Sequence, residues 1–396
     1  GLFDLENSEV YYKQSTTETN TRSLRDFHNK YVKQLLITRA SKNKDTLIDM
    51  SVGRAGDMWK WYQSKLEFVV GFDLSKMNLE NRKDGACARY LKFKSKHRNA
   101  PSCLFITADS GHNLRNGDGI LEPKGKKIMD AIIGKGSKDK DVLGKVVYEN
   151  HGVGRDGFDV VSNMFSSHYF FENVEILNEY LRNVSENCKI NGYFIGTCYD
   201  GVKVFNMLKN KEYQESEYIL ENNKKTWEIK KMYQHEKFPA DLTGVGYRID
   251  VYQESINKVF PEYLVNFDYF KELLDLYGFA PLDADECKQF GVFTGVDSFQ
   301  RLFNKMGNDV ENREISKKQI GTALEMSDNE KKVSFLNNYF IFKKVRNVDA
   351  SNVFKIQMDK ANDTIDKTKE RIQKMKDTTM VLKRNVVKMK RKIRLV

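Results

Sequence analysis

Apolar positions along the chain gather into short buried runs separated by longer amphipathic stretches. The runs are Thr46–Met50, Phe68–Asp73, Ser102–Asp109 (SCLFITAD), Phe158–Met164 (FDVVSNM) and Tyr193–Cys198, the last after an Asn191-Gly192 turn. Each is rich in β-branched and aromatic residues, the pattern of strands covered on both faces. Between them the period lengthens. Leu24, Phe27, Tyr31, Leu35 and Leu36 mark a helix over Thr21–Ala40, and a second helical stretch covers Ile176–Cys188. Strand and helix in alternation predict an α/β fold built on a doubly wound, mostly parallel sheet. After the fifth run the pattern becomes antiparallel-looking at Trp227–Tyr233 and Val245–Glu254. A helix at Asn266–Tyr277 and a closing strand at Tyr339–Val345 complete the body.

Three segments stand outside this rhythm. Residues 1–20 are polar and rich in Thr, Ser and Glu, the composition of a linker or docking arm. Residues 112–156, rich in Gly and Lys, separate the third and fourth strands and are too long for an ordinary connection, so they are functional or partly mobile. In the tail, 351–396, apolar or small residues from Met358 to Val396 recur alternately three and four apart with no Gly or Pro between them. That spacing predicts a long amphipathic helix with a coiled-coil-like seam. It can lie on its own body, pair with a partner or a second copy, or track RNA with its basic face. The body is then 21–350, and the chain's start at Gly1 suggests a piece of a longer polypeptide or a trimmed tag.

Charge changes the picture less than its total suggests. The net +11 over 396 residues is concentrated in Lys355–Val396, which carries +9 and leaves +2 for the rest. A uniformly basic body is excluded, and any polyanion must meet local patches or the tail. The five cysteines (Cys87, Cys103, Cys188, Cys198, Cys287) show no metal spacing and read as reduced thiols of a cytosol-like compartment. No apolar run reaches the length of a membrane span.

The chemistry concentrates at Thr46–Trp61, TLIDMSVGRAGDMWKW, which reads as strand, tight turn and the opening of a helix near Asp57. Gly53 and Gly56 let backbone approach a ligand, and the new helix offers free amides. An ordinary βα turn uses glycines too, and the dinucleotide fingerprint G-x-G-x-x-G is absent, with Ser51 at its first position. Asp49 ends the first strand, Asp73 ends the second 24 residues further on, and Asp109 ends the third. Ligands of open α/β sheets collect at these strand tips. One such acid is more often a cap, but three in succession suit a nucleoside with a cationic appendage: ribose hydroxyls on Asp73, the adenine amino group on Asp109 and a sulfonium near Asp49. That ligand is S-adenosyl-L-methionine.

From Leu24 to Val345 the chain resembles the mRNA cap guanine-N7 methyltransferases, most of all the domain found in multifunctional capping enzymes of large DNA viruses. The resemblance is carried, in order, by FHNKYVKQLLI, LIDMSVGRAGDMWKW, FITADS, FDVVSNMFSSHYFFEN, NGYFIGT, FPEYLV and NYFIF. It implies a class I methyltransferase sheet with an antiparallel closing strand and a cap-binding elaboration over 199–265. Cofactor contacts carry over to Lys33, Asp49, Ser51, Gly53, Asp73, Asp109, Ser110, Met164 and Tyr169. Ser51 and Ala55 stand where the family has Gly, and Met164 where it commonly has Gln. Cap contacts carry over to Asn29, Lys30, Arg54, Lys60, Arg89, His168, Tyr169, Glu262 and Tyr339, the last as a ring over the pocket. Taken singly these have dull readings, since His168 is then a core histidine, Tyr339 a sheet aromatic and Glu262 a helix-start acid.

The resemblance implies transfer of a methyl group to N7 of the GpppN cap guanine. N7 carries a lone pair and no proton, so positioning suffices, with no general base and no metal. It further implies a capped RNA 5′ end as substrate and guanylyltransferase or triphosphatase domains in the same polypeptide. An activating subunit, or self-association through the tail, is compatible with it. The implied location is cytoplasmic (a viral factory or virion for a viral protein), with the nucleus left open. Two other readings remain: a methyltransferase for another RNA base or a small molecule, and a degenerate methyltransferase fold serving as an RNA-binding or stimulatory subunit.

Overall fold

The computed structural model describes residues 21–254 and 256–393. The expected arm, 1–20, lies outside the described residues. The chain divides into two units, Gly1–Ala350 and Ser351–Val396.

The larger unit is built around a main eight-stranded sheet. Its strands are β1 (Thr46–Asp49), β2 (Phe68–Asp73), β3 (Ser102–Thr107), β4 (Phe158–Met164) and β5 (Cys188–Tyr199), with β10 (Phe279–Pro281), β11 (Val296–Ser298) and β12 (Asn337–Lys344). The order is β10-β12-β5-β4-β1-β2-β3, with β11 also on β12. β1 to β5 are all parallel, whereas β12 runs antiparallel to β5 from Asn337 opposite Tyr199 to Lys343 opposite Tyr193. This is the doubly wound sheet with an antiparallel closing strand that the sequence predicts. β1 and β2 are buried almost throughout, because helices cover both faces. The strand order reverses between β1 and β4, which opens a crevice at their carboxyl ends.

The Asn191-Gly192 pair is not a turn before the fifth strand. β5 already begins at Cys188 and passes through it, with Asn191 at φ +64° and a register shift opposite Phe158–Val160. The pair is a bulge, which Asn tolerates because αL costs it less than most residues.

Residues 112–156 are built structure. They hold helices Pro123–Ile132, Lys140–Leu143 and Lys145–Glu149, and Ile120 bridges to Ala108 beside β3. The antiparallel-looking runs belong to a separate four-stranded sheet, β6 (Ser216–Glu221), β7 (Lys224–Lys231), β8 (Arg248–Gln253) and β9 (Lys258–Tyr263), in sequential order. It has its own core, in which Ile219, Trp227, Ile229, Tyr247 and Val251 pack with Tyr199 and Val204. Glu262 therefore lies within strand β9. The reading of it as a helix-start acid fails, because the next helix opens only at Phe267, capped by Asn266.

The smaller unit is helical: one helix spans Ala350–Ile393. Of the predicted seam, Ile365, Ile372 and Met375 are exposed.

Candidate functional site

A single cavity of about 1420 Å³ runs from the tips of β1–β3 to the inner face of the four-stranded sheet. Its two ends are built differently.

At the first end the chain leaves β1 at Asp49, turns through Ser51–Gly56 and enters the short helix Met58–Gln63. Gly53 sits at φ +55°, where glycine is unstrained, and Ala55 accepts φ +54° at a steric cost of about 1 kcal/mol. The turn is pressed onto β2: a Cβ on Gly71 would lie 2.7 Å from the Val52 side chain. Amides expected to face a ligand are partly engaged. Gly53 N–H donates to Asp73 Oδ2 (2.8 Å), and Lys60 and Trp61 donate to the Asp57 carbonyl. Asp73 also accepts from Ser75 N–H (2.9 Å) and Asn78 Nδ2 (3.0 Å) through Oδ1. Three donors on a carboxylate with about four acceptor sites fix its plane and leave some capacity toward the cavity.

Asp49 accepts from Ser51 N–H (3.0 Å), and Ser51 Oγ pairs with Ser166 Oγ (3.0 Å). Burial, with the charges of Asp57 and Asp73 adding to it, pushes Asp49 up to about 7 against the pull of the Ser51 amide and Lys33. Burial likewise raises Asp73 despite its donors. Asp57 goes the other way. Its burial is outweighed by Lys33 (3.2 Å) and Lys60 (2.9 Å), which hold it at about 2. Asp109 accepts from Gly111 N–H (2.8 Å), and Ser110 Oγ donates to the Met50 carbonyl (2.8 Å). Lys33, Asp49, Ser51, Gly53, Asp73, Asp109, Ser110, Met164 and Tyr169 all line the cavity.

At the second end two buried polar side chains lack partners. His168, on the 3-10 turn Ser167–Glu172, and Glu262, on β9, are both buried, with His168 Nε2 3.5 Å from Glu262 Oε2. That is beyond hydrogen-bond range. Neither ring nitrogen of His168 has a hydrogen-bond partner among the described residues, nor does Glu262 Oε2. Burial pushes the imidazole down to about 3 and the Glu262 carboxyl up to about 8, so both are driven toward their neutral forms. An orphaned buried polar atom costs about 1–3 kcal/mol, and a native fold tolerates it where a ligand completes it.

Asn29, Arg54 and Arg89 also line the cavity. Arg54 pairs with Asp84, and Arg89 Nη1 donates to the Arg54 carbonyl (2.9 Å). Three expected cap residues do not line it. Lys60 is buried against Asp57, since three positions along the helix its side chain turns back toward that carboxylate. Lys30 pairs with Asp26 (2.8 Å), one turn earlier on the leading helix. Tyr339 is a core residue of β12 whose hydroxyl donates to the Thr294 carbonyl (2.8 Å), so it is not a ring over the pocket. Asn337, two residues earlier on the same face of the strand, lines the cavity, whereas Tyr339 lies further along β12 and outside its lining.

The sequence reading missed Tyr199, Trp227 and Phe260, which wall the second end, and Trp227 Nε1 donates to Tyr199 Oη (3.2 Å). Trp227 on β7 and Phe260 on β9 come together through the pairing of β6–β9, which packs on Tyr199 at the end of β5, although period-two alternation around Trp227 and Ile229 marks the inward positions. Among the described residues no group of His, Cys, Asp and Glu is arranged to hold a metal, and no helix is long and apolar enough to cross a membrane. The five cysteines are free thiols.

Residues 6–345 match the mRNA (guanine-N(7))-methyltransferase domain family. The chain is 27% identical over 381 residues to the probable mRNA-capping enzyme of Acanthamoeba polyphaga mimivirus, covering 90% of this chain and 30% of that protein. It is 25% identical over 384 residues to the mRNA cap guanine-N(7) methyltransferase of Aspergillus clavatus (83% of this chain, 65% of that one). To that of Saccharomyces cerevisiae it is 25% identical over 327 residues (82% and 64%). The chain thus spans less than two thirds of each of these relatives.

Proposed function

The chain belongs to the mRNA (guanine-N(7))-methyltransferase family, and from that premise we propose that this cavity is where N7 of the guanine capping an RNA 5′ end is methylated. S-adenosyl-L-methionine supplies the methyl group, already activated on a sulfonium. The strand-tip end fits it. Asp73 takes the ribose hydroxyls, Asp109 and Ser110 the adenine, and Lys33 the amino-acid carboxylate. Asp49, poised at about 7, ionises beside a cation, and Met164 and Tyr169 flank the ligand.

The observation that carries the reading is the orphaned pair at the other end. A guanine edge presents N1–H and N2–H, two donors side by side, and Glu262 as a carboxylate accepts both. Tyr199, Trp227 and Phe260 enclose the base, and base–aromatic stacking is worth roughly 1–3 kcal/mol. Arg54 and Arg89, with Asn29, face the phosphate bridge, where guanidinium forks match phosphate oxygens. The nucleophilic nitrogen carries no proton, so no residue has one to remove. What the chain contributes is alignment, which in favourable cases is worth roughly 7–11 kcal/mol.

Guanylyltransferase or triphosphatase domains in the same polypeptide are part of this proposal, supported by the chain's match to 30% of a probable mRNA-capping enzyme. So are an activating subunit or self-pairing through the helical tail, and a cytoplasmic or virus-factory location. A methyl-transfer assay comparing GpppN-ended RNA with the same RNA uncapped tests the reading. Transfer to the capped end alone, at guanine N7, is expected. Transfer to both, or to neither despite cofactor binding, overturns it.

A further inference from the structure

The body carries little net charge, yet residues 82–98 hold seven Lys or Arg against one acid, Asp84. That acid is taken by Arg54. Most of the excess lies on the helix Ala86–Lys96, which starts at the cavity, since Asp84 and Arg89 both line it. Arg89, Lys92 and Lys96 follow one another three and four residues apart, so they form one outward stripe, and all three are exposed. Lys92, Lys96 and Arg98 form no ion pair among the described residues.

Beside the stripe stands Trp59, 47% exposed, with its ring 6.0 Å from Phe93 and 5.3 Å from His97. Phe93, His97 and Tyr62 (5.5 Å) hold the indole in place while about half of it stays exposed. A cationic stripe flanked by an aromatic platform is how proteins hold single strands, with phosphates on the cations and a base on the ring.

We infer that the outer face of helix Ala86–Lys96, with Trp59, is a track for the single-stranded RNA that follows the capped nucleotide. The inference rests on the cap methyltransferase reading and extends it. Arg89 sits where phosphates leave the cavity, and Lys92 and Lys96 continue about 4.5 Å and about 10 Å further along the helix axis. The substrate is thereby held at two places, by its guanine inside and by its first nucleotides outside. Charge complementarity favours RNA, and an acidic protein segment is the competing occupant.

The test uses the whole chain with two substrates, the dinucleotide GpppG and a GpppG-ended decamer, and two variants, K92E/K96E and W59A. Wild type is expected to show a lower KM for the decamer. K92E/K96E raises that KM roughly tenfold and lowers the slope of its log against log salt by about 1.4. W59A raises it roughly tenfold and leaves the salt slope alone. Both variants keep the wild-type KM for GpppG, which also shows that they fold. Equal KM values for the two substrates in wild type, or variants that raise both together, overturn the track and leave the cap reading standing. Absence of transfer to either substrate sinks the cap reading instead. Anisotropy with an uncapped decamer then decides the track alone, expected to weaken roughly tenfold in K92E/K96E and overturned by no change.

Discussion

The two ends of the cavity solve the same problem, a carboxylate at a binding surface, in opposite ways. Asp73 holds three donors from its own neighbourhood before any ligand arrives. Glu262 leaves Oε2 with none, and His168 beside it leaves both nitrogens bare. The first arrangement is a preformed cradle whose geometry the fold itself maintains. The second stores an unmet demand that only a donor-rich guest satisfies. Under the proposed function, affinity for the cofactor is therefore spread over several groups, whereas recognition of the base is concentrated in one.

That contrast is most exposed by removing each carboxylate. Glu262→Gln presents an N–H where the guanine edge also donates. It is expected to raise the KM for capped RNA about 100-fold to 1000-fold with a smaller effect on kcat, because hydrogen bonds to a charged acceptor are worth about 1.5–3 kcal/mol each and a donor is left unpaired. Steady-state kinetics at saturating cofactor checks this, and an unchanged KM would remove Glu262 from the cap. Asp73→Ala is expected to weaken cofactor binding by about 10-fold to 100-fold in calorimetry, with the cap KM held. It also frees the Gly53 amide, so a lower melting temperature accompanies it.

A pH titration separates the ends next. Glu262 must ionise to accept two N–H donors and its carboxyl sits at about 8, so kcat/KM for the cap should climb about tenfold per pH unit up to that point and then level. Stability moves the other way. The folded protein holds a proton on Glu262 that the unfolded chain has lost above about 4.5, so its contribution is fully present below that value. It is lost as pH rises through about 8. Asp49 adds a similar fall toward 7. Melting temperatures of the ligand-free protein should thus drop from pH 5 to pH 9, and less steeply in Glu262→Gln. A parallel fall in both would show that Glu262 is ionised throughout.

The smallest expected effect lies outside the cavity. Tyr339→Phe loses one buried hydrogen bond to the Thr294 carbonyl, about 1 kcal/mol of stability, and leaves the KM for capped RNA unchanged. A change in that KM would return the ring to the site.

The same contrast explains what could be read from the sequence. Parallel strands announce themselves as short apolar runs, so the bounds of β2 and β4 are legible and Asp49 and Asp73 end their strands, while Asp109 lies two residues beyond β3 rather than ending it, still where the topology brings ligands. His168 and Glu262 came only from the family resemblance, because nothing local distinguishes a buried His or a strand Glu. Side-chain direction was the least legible feature. Lys30 and Lys60 each turn toward an acid one turn away on their own helix, and Tyr339 points into the core. Tyr199, Trp227 and Phe260 meet only once a second sheet has formed, and the bulge at Asn191 looks like a turn until β4 is seen beside it.

The account rests on one cavity holding donor and acceptor end to end. A crystal structure with S-adenosylhomocysteine and GpppG tests it most directly. The account predicts the ribose on Asp73, the guanine edge on Glu262, and N7 roughly 3–3.5 Å from where the methyl carbon would lie, in line with sulfur. A guanine seated away from Glu262, or beyond reach of that methyl position, would contradict it.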